Sequence, residues 1–360
     1  MGTERIQLKL AEDSHLGKAG QIVTLALTPA DVHDPTELPT YLAGYREMDF
    51  RADEASPPIL VDNESDKFRT FAKDDAFRRV DVKVGGTAPI PEVDPSSSLS
   101  TYQTVYRAAG AFIPRQTEMQ TGNNYRPRQV AARKASRLLM IDRELDVFSS
   151  GGLLGTTGNW TAGNVFALGA NFNWGNLTTQ GEGTTSDPMF DIQNGIVTSA
   201  QPCDGIWFNQ KTAFAFLRHS KVRNHMRQML GDDAVNQTML AVANANRANT
   251  PVDFSIPGLP PFRVAAAKVK NESTGALDYV LADGVVIGVT RPPGVPTDGE
   301  SIATSYTFRL RGPSGVGFET REYFVDGRGA YGGTMVVASM SDIAKFTGTD
   351  CGFIITGALQ

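Results

Sequence analysis

Only two cysteines, Cys203 and Cys351, occur in 360 residues, far apart and without paired spacing. That excludes a disulfide framework and a cysteine-based zinc site, and makes a reducing compartment the expectation. No run approaches the roughly 18 apolar residues of a membrane-spanning helix. The N-terminal stretch MGTERIQLKLAEDS holds no apolar core of signal-peptide length, and Ile6 stands where a myristoylation motif needs Ser or Thr. The chain therefore reads as a soluble intracellular product with no membrane partner. Charge of one sign is also missing. Lys and Arg number 34 against 39 Asp and Glu, a net charge of −5, which argues against a globally basic nucleic-acid binder.

Recognisable catalytic constellations are absent as well. The four histidines are His15, His33, His219 and His225. His219 and His225 are spaced to fall on different faces of a helix, unlike the four-residue spacing of a zinc-binding helix. Gly151-Gly152-Leu153-Leu154-Gly155 lacks the Gly-Lys-Ser/Thr ending of a phosphate loop, so it reads as a linker. Gly312-Pro313-Ser314-Gly315 carries its second glycine one position early for a nucleophile elbow, and reads as a tight turn. Acid–base work by Asp74-Asp75 or Asp232-Asp233 would need contrasting, partly buried environments. The first pair reads as solvated or interfacial, the second as a helix cap. No catalytic residue, cofactor or metal is expected.

What the chain does have is an excursion from Arg51 to Arg115 with little means of burying itself. Lys67–Val84 (KFRTFAKDDAFRRVDVKV) reads as extended with a charged middle, Gly85–Ser98 as turn-rich, and Leu99–Ile113 as a second extended arm. A two-stranded ribbon is marginal in water unless it packs on something else. Fully extended at about 3.3 Å per residue, the first arm would reach roughly 60 Å. A compact body of this length has a radius of gyration of about 21 Å. The simplest partner for such an arm is another copy of the chain. Its charged residues Arg69, Asp74, Asp75, Arg78 and Arg79 are candidate interface residues.

Pro127 then opens a long helix to about Ser149. Val130, Lys134, Leu138, Ile141, Leu145 and Phe148 mark its expected inner stripe, and Gly151-Gly152 stop it. Arg126, Arg128, Arg133, Lys134, Arg137 and Arg143 outnumber Asp142, Glu144 and Asp146 on this helix. Two readings stand: an ordinary solvated face, or a basic rod facing phosphates, which the N-terminal clustering favours. The candidate DNA-facing residues are Arg128, Arg133, Lys134 and Arg137.

Gly151–Gly183 reads as a linker anchored by Trp160 and Trp174. Asp187-Pro188 starts a helix, Ile206–Phe208 is a short buried strand, and Asn209–Leu230 is one or two helices ended by Gly231. Asp232 or Asp233 caps a further helix. Beyond Pro251 come short strands at Phe262–Ala266, Tyr279–Ala282, Val285–Val289, Ser305–Leu310, Gly317–Phe324 and Met335–Ser339, then an apolar run at Gly352–Leu359. The architecture is α+β with a discontinuous core.

In this order the chain resembles the major capsid proteins of tailed bacteriophages, the Johnson fold shared with encapsulin shells. The resemblance is carried by KFRTFAKDDAFRRVDVKVGGTAPIPEVDPSSSLSTYQTVYRAAGAFIP, AARKASRLLMIDRELDVFSS, NFNWGNLTTQGEGTTSDPMFDIQNGI and GFETREYFVDGRGAYGGTMVVAS. It implies an N-terminal arm (1–50), an extended loop (51–115) and a peripheral domain with the spine helix (116–195). It further implies an axial domain (196–329) and C-terminal strands returning to the peripheral domain (330–360). The function implied is self-assembly through pentamers and hexamers into an icosahedral shell around double-stranded DNA. Partners would be the chain itself and packaged DNA, with portal, scaffolding or decoration proteins as further options. The location would be the virion, after assembly in the host cytoplasm. An encapsulin-like compartment and an unrecognised α+β hydrolase are the alternatives.

Overall fold

The structure, a computed structural model, describes residues 50–71, 98–120, 127–175, 181–243, 252–292, 301–312, 317–328 and 331–359. The expected N-terminal arm up to residue 49 and the ribbon tip, with Asp74, Asp75, Arg78 and Arg79, lie outside the described residues. The chain divides into two compact units. One holds Ala108–Arg137 and Phe318–Ser339; the other holds Glu47–Arg107, Leu138–Gly317 and Met340–Gln360.

In the first unit, the opening half of β14 (Gly333–Phe346) is flanked by β13 (Phe318–Val325) and by β4 (Val105–Pro114). Helix α2 (Arg115–Gln120) follows, then the first half of α3 (Pro127–Phe148). The core is small: Ala131 and Ala132 of α3 meet Ile113 and Val336. Short side chains at those helix positions let the helix backbone sit close to the strands. Where β4 passes β14, a Cβ at Gly110 would lie 2.6 Å from the Met335 methyl, which would have to swing aside.

The second unit is organised by a six-stranded mixed sheet in the order β5-β15-β11-β6-β8-β7. These strands are β5 (Val165–Ala167), β15 (Gly352–Thr356), β11 (Val286–Val289), β6 (Gly205–Asn209), β8 (Phe262–Ala265) and β7 (Asp253–Phe254). Its central strands are buried on both faces, which explains their unbroken apolar runs. Ile206, Phe208, Val286, Phe353 and Ile355 point into one core; Trp207, Ile287 and Ile354 point into the other. The first core is covered by four helices: α4 (Pro188–Thr198), α5 (Gln210–Arg218), α6 (Ser220–Leu230) and α7 (Asp232–Ala243). Two of these helices begin where the sequence predicts, and a third at a break the sequence left open. Asp187 accepts from the Phe190 N–H at 3.2 Å with Pro188 in the first turn, and Asn209 accepts from the Thr212 N–H at 2.8 Å. His219 caps α6 through its own ring nitrogen.

Several expectations need correction. The linker Gly151–Gly183 contains β5, which pairs in parallel with β15. The expected strand Tyr279–Ala282 ends at Tyr279 and belongs to a small hairpin of β9 (Lys268–Lys270) with β10 (Leu277–Tyr279). Met335–Ser339 is only the first half of a strand that continues through Asp342 and Lys345, because Ser305–Arg309 of β12 (Ser305–Leu310) pairs with Asp342–Phe346.

The Phe353 ring lies against two glycines. A Cβ at Gly288 would fall 2.2 Å from one ring carbon, and a Cβ at Gly195 would fall 2.6 Å from another. Gly288→Ala is therefore expected to cost about 1–3 kcal/mol through overpacking. Equilibrium urea unfolding checks this, and an unchanged midpoint would contradict the packing described.

Candidate assembly site: the ribbon, its root and the long helix

The ribbon consists of β2 (Ser65–Thr70) and β3 (Ser98–Gln103), antiparallel, with Ser65 opposite Gln103 and Thr70 opposite Ser98. The expected return arm Leu99–Ile113 is not one strand. It breaks at Thr104, and β4 then joins β14 in a different sheet. The excursion also buries more at its root than the sequence suggests. Phe68 and Tyr102 pack on Phe308 of β12, at ring-centroid distances of 5.0 and 4.4 Å, the Tyr102 ring being stacked within 5° of parallel. The Phe71 N–H donates to the Thr347 carbonyl at 2.6 Å. Alternation explains the rest: Phe68 and Tyr102 face inward, while Lys67, Arg69, Leu99 and Thr101 face solvent. Leu99 is 63% exposed, and Arg69, exposed, lies directly opposite it.

Below the root is a buried ionic cluster. Asp342, with no solvent exposure, accepts from Arg143 Nη1 at 2.6 Å, from Arg107 Nη1 at 3.2 Å and from Arg309 Nη2 at 3.4 Å. Arg143 also bonds Asp53 and the Thr307 hydroxyl, and Arg309 reaches Asp53 at 3.1 Å. Arg107, just beyond the ribbon, holds Asp142 and Asp146 of α3 as well. Burial works against the Asp53 charge, but Arg143 and Arg309 hold its carboxyl below the usual range. Glu144 lies beside them, 1% exposed, and accepts the Arg51 and Ala52 N–H groups at the start of α1 (Ala52–Ala55). Burial pushes Glu144 up to about 7, against the pull of those two donors.

This arrangement overturns two expectations about the long helix. Arg143, grouped with the basic face from sequence, is 2% exposed and internally paired. Leu138, placed on the inner stripe, is 58% exposed; the buried positions run through Ala132, Ala135, Leu139, Arg143 and Val147. Arg133, Lys134 and Arg137 are exposed. Arg128 is held between Glu118 at 2.9 Å and Glu322 at 3.0 Å.

One grouping resembles catalytic machinery. His219 Nε2 lies 3.2 Å from the Ser186 hydroxyl, with Glu182 nearby. Yet His219 Nδ1 accepts the Lys221 N–H at 3.3 Å, so in the neutral ring Nε2 carries the proton and donates to Ser186. A base must accept from its nucleophile, so this pair is a helix cap rather than an activated serine.

No family model and no curated protein matches the chain. Solved structures do. A phage-related protein from Bordetella bronchiseptica RB50 is similar at 17% identity with a TM-score of 0.63, over 90% of this chain and 97% of that one. A prophage protein from E. coli CFT073, described as a candidate capsid protein, is similar at 11% identity with a TM-score of 0.50, over 90% and 99%. The chain has the phage capsid fold.

In the terms of the phage capsid fold, the ribbon is the extended loop and α3 the spine helix. Phe308→Ala, which removes the ring that both loop aromatics pack on, is expected to cost about 3–5 kcal/mol. It should also speed exchange of the amides that β2 and β3 bond to each other, those of 66, 68, 100 and 102; unchanged exchange there would contradict the anchor. Glu144 gives a pH dependence with a definite sign. Its folded value of about 7 exceeds the ordinary 4.5, so its contribution to stability is fully present below about 4.5 and is lost as pH rises through about 7. Glu144→Gln should flatten the unfolding free energy across that window, as measured by denaturant titration. A slope unchanged from the unmodified protein would contradict the assignment.

Proposed function

We propose that this chain is a structural subunit that self-assembles, through pentamers and hexamers, into an icosahedral shell enclosing double-stranded DNA. The observation that carries the reading is the extended loop. Its root is fixed to its own unit by Phe308, while its outer face, with Arg69 and Leu99, is left to solvent. Likeness in fold to a prophage protein described as a candidate capsid protein supports it. Heterologous contacts repeated among identical copies close into rings, which is what capsomers require. In this reading 116–195 with 330–360 form the peripheral domain and 196–329 the axial domain. Asp74, Asp75, Arg78 and Arg79 join Arg69 at the contact between copies. The catalytic role is nil, and the place of action is the virion.

Arg133, Lys134 and Arg137 give the spine helix an exposed basic face for sequence-independent phosphate contacts. Arg128 stands beside them with its charge partly offset by Glu118 and Glu322.

Electron microscopy of the purified chain, followed by nuclease challenge, tests the proposal. Closed particles holding nuclease-resistant DNA are expected, whereas particles filled with protein would favour the compartment alternative, and a small oligomer would contradict a shell of either kind. Deleting Phe71–Pro95 should leave a folded subunit that no longer closes. Replacing Arg133, Lys134 and Arg137 with glutamine should weaken DNA binding uniformly across sequences. The salt slope should then fall by about one per residue removed.

A further inference from the structure

The two outer edges of the ribbon are not equivalent. The Thr104 N–H donates to the Glu64 carbonyl at 2.8 Å, which places 64 and 104 at a hydrogen-bonded position of the ladder. Alternation along the register then makes 66 with 102, 68 with 100 and 70 with 98 the bonded pairs. The remaining residues aim their backbone groups away from the ribbon: Ser65, Lys67 and Arg69 on one side, Leu99, Thr101 and Gln103 on the other.

The β2 edge is guarded. Asp66 Oδ1 takes the Lys67 N–H at 2.8 Å, and Asp66, Lys67 and Arg69 line the strand with charge. Charged side chains of this kind discourage strand addition. The β3 edge has no such protection. Ser98-Leu99-Ser100-Thr101-Tyr102-Gln103 carries neither charge nor proline, and its outward N–H and C=O groups find no hydrogen-bond partner among the described residues. Beside this edge, on the solvent face, Lys67 and Arg69 sit across from Thr101 and Leu99, giving a basic flank on a chain whose net charge is −5. An uncharged edge with a basic flank suits a strand from an acidic protein, and this chain is itself acidic.

We propose that the β3 edge of the ribbon is completed by an extended strand from a second copy of this chain, main chain to main chain through Leu99, Thr101 and Gln103. This rests on the shell reading and names the contact within it. Backbone hydrogen bonds would supply the affinity, and Leu99 with the basic flank the selectivity.

Proline scanning tests the edge selectively. Thr101→Pro deletes only an outward donor, and proline is tolerated on an open strand edge. The ladder within the ribbon stays whole, because 101 is not in a bonded pair. Ser65→Pro does the same on the guarded edge without touching the basic flank. Thr101→Pro is expected to raise the critical concentration for particle assembly at least tenfold with an unchanged unfolding midpoint, while Ser65→Pro has less than a threefold effect. Amide exchange of Leu99, Thr101 and Gln103 should be fast in dissociated subunits and slow in particles. The inference is overturned if Thr101→Pro assembles normally, or if those amides exchange equally fast in particles. It is also overturned if they are already slow in the isolated subunit, or become slow only when a different protein is added. In each of those cases particles of the unmodified chain still form, so the shell reading survives; a chain that makes no particles sinks the shell reading itself.

Discussion

A carboxylate without solvent, Asp342, taking hydrogen bonds from three arginines, is the constraint on which the second unit depends. Arg107 comes from the strand just after the ribbon, Arg143 from the spine helix and Arg309 from the strand that carries Phe308 on its other face. A point charge inside protein is tolerated only when it is paired and hydrogen-bonded. Three segments distant in sequence are thereby held at one place, and Asp53 and Glu144 extend the pairing to α1. A hydrophobic contact at this position would tolerate slippage. The fixed fork of a guanidinium, as Arg143 spreads it over Asp53, Asp342 and Thr307, tolerates much less.

The consequence is a ribbon that is fixed at its base and exposed beyond it. The aromatic contact of Phe68 and Tyr102 with Phe308 sets where the ribbon leaves, and Arg107 ties the returning strand to the spine helix. The solvent-facing side, with Arg69 and Leu99, has no work to do within the unit. In an assembling protein this division is useful. The base resists rearrangement, and under the proposed assembly the outer face is the part open to a neighbour.

Much of this fold could be read from local signals. Pro127 and Gly151 bracket the long helix because proline suits a first turn and glycine a stop, and Asp187-Pro188 works the same way for α4. The base of the ribbon was legible from the two extended runs that begin at Lys67 and Leu99. Burial of Arg143 and Glu144 was not legible. Charged side chains within a helix are normally solvated, and the partners that reverse that rule lie some ninety to two hundred positions away in sequence, at Asp53, Arg51 and Asp342. The same blind spot shifted the inner stripe onto Leu138. It also cut β14 short at Ser339, since Asp342 and Lys345 do not look like strand interior until β12 is placed beside them. The change of sheet at Thr104 left no periodic mark, because both halves of that run are extended.

A double-mutant cycle on Arg143→Met and Asp342→Leu, followed by denaturant unfolding, measures the cluster most directly. The account requires each single change to cost about 3–5 kcal/mol, because each strands a buried charge. The double variant should cost clearly less than their sum, with a coupling of at least about 1 kcal/mol. Additive effects within about 0.5 kcal/mol would mean that the two groups do not sense each other, and the account of the root would be wrong.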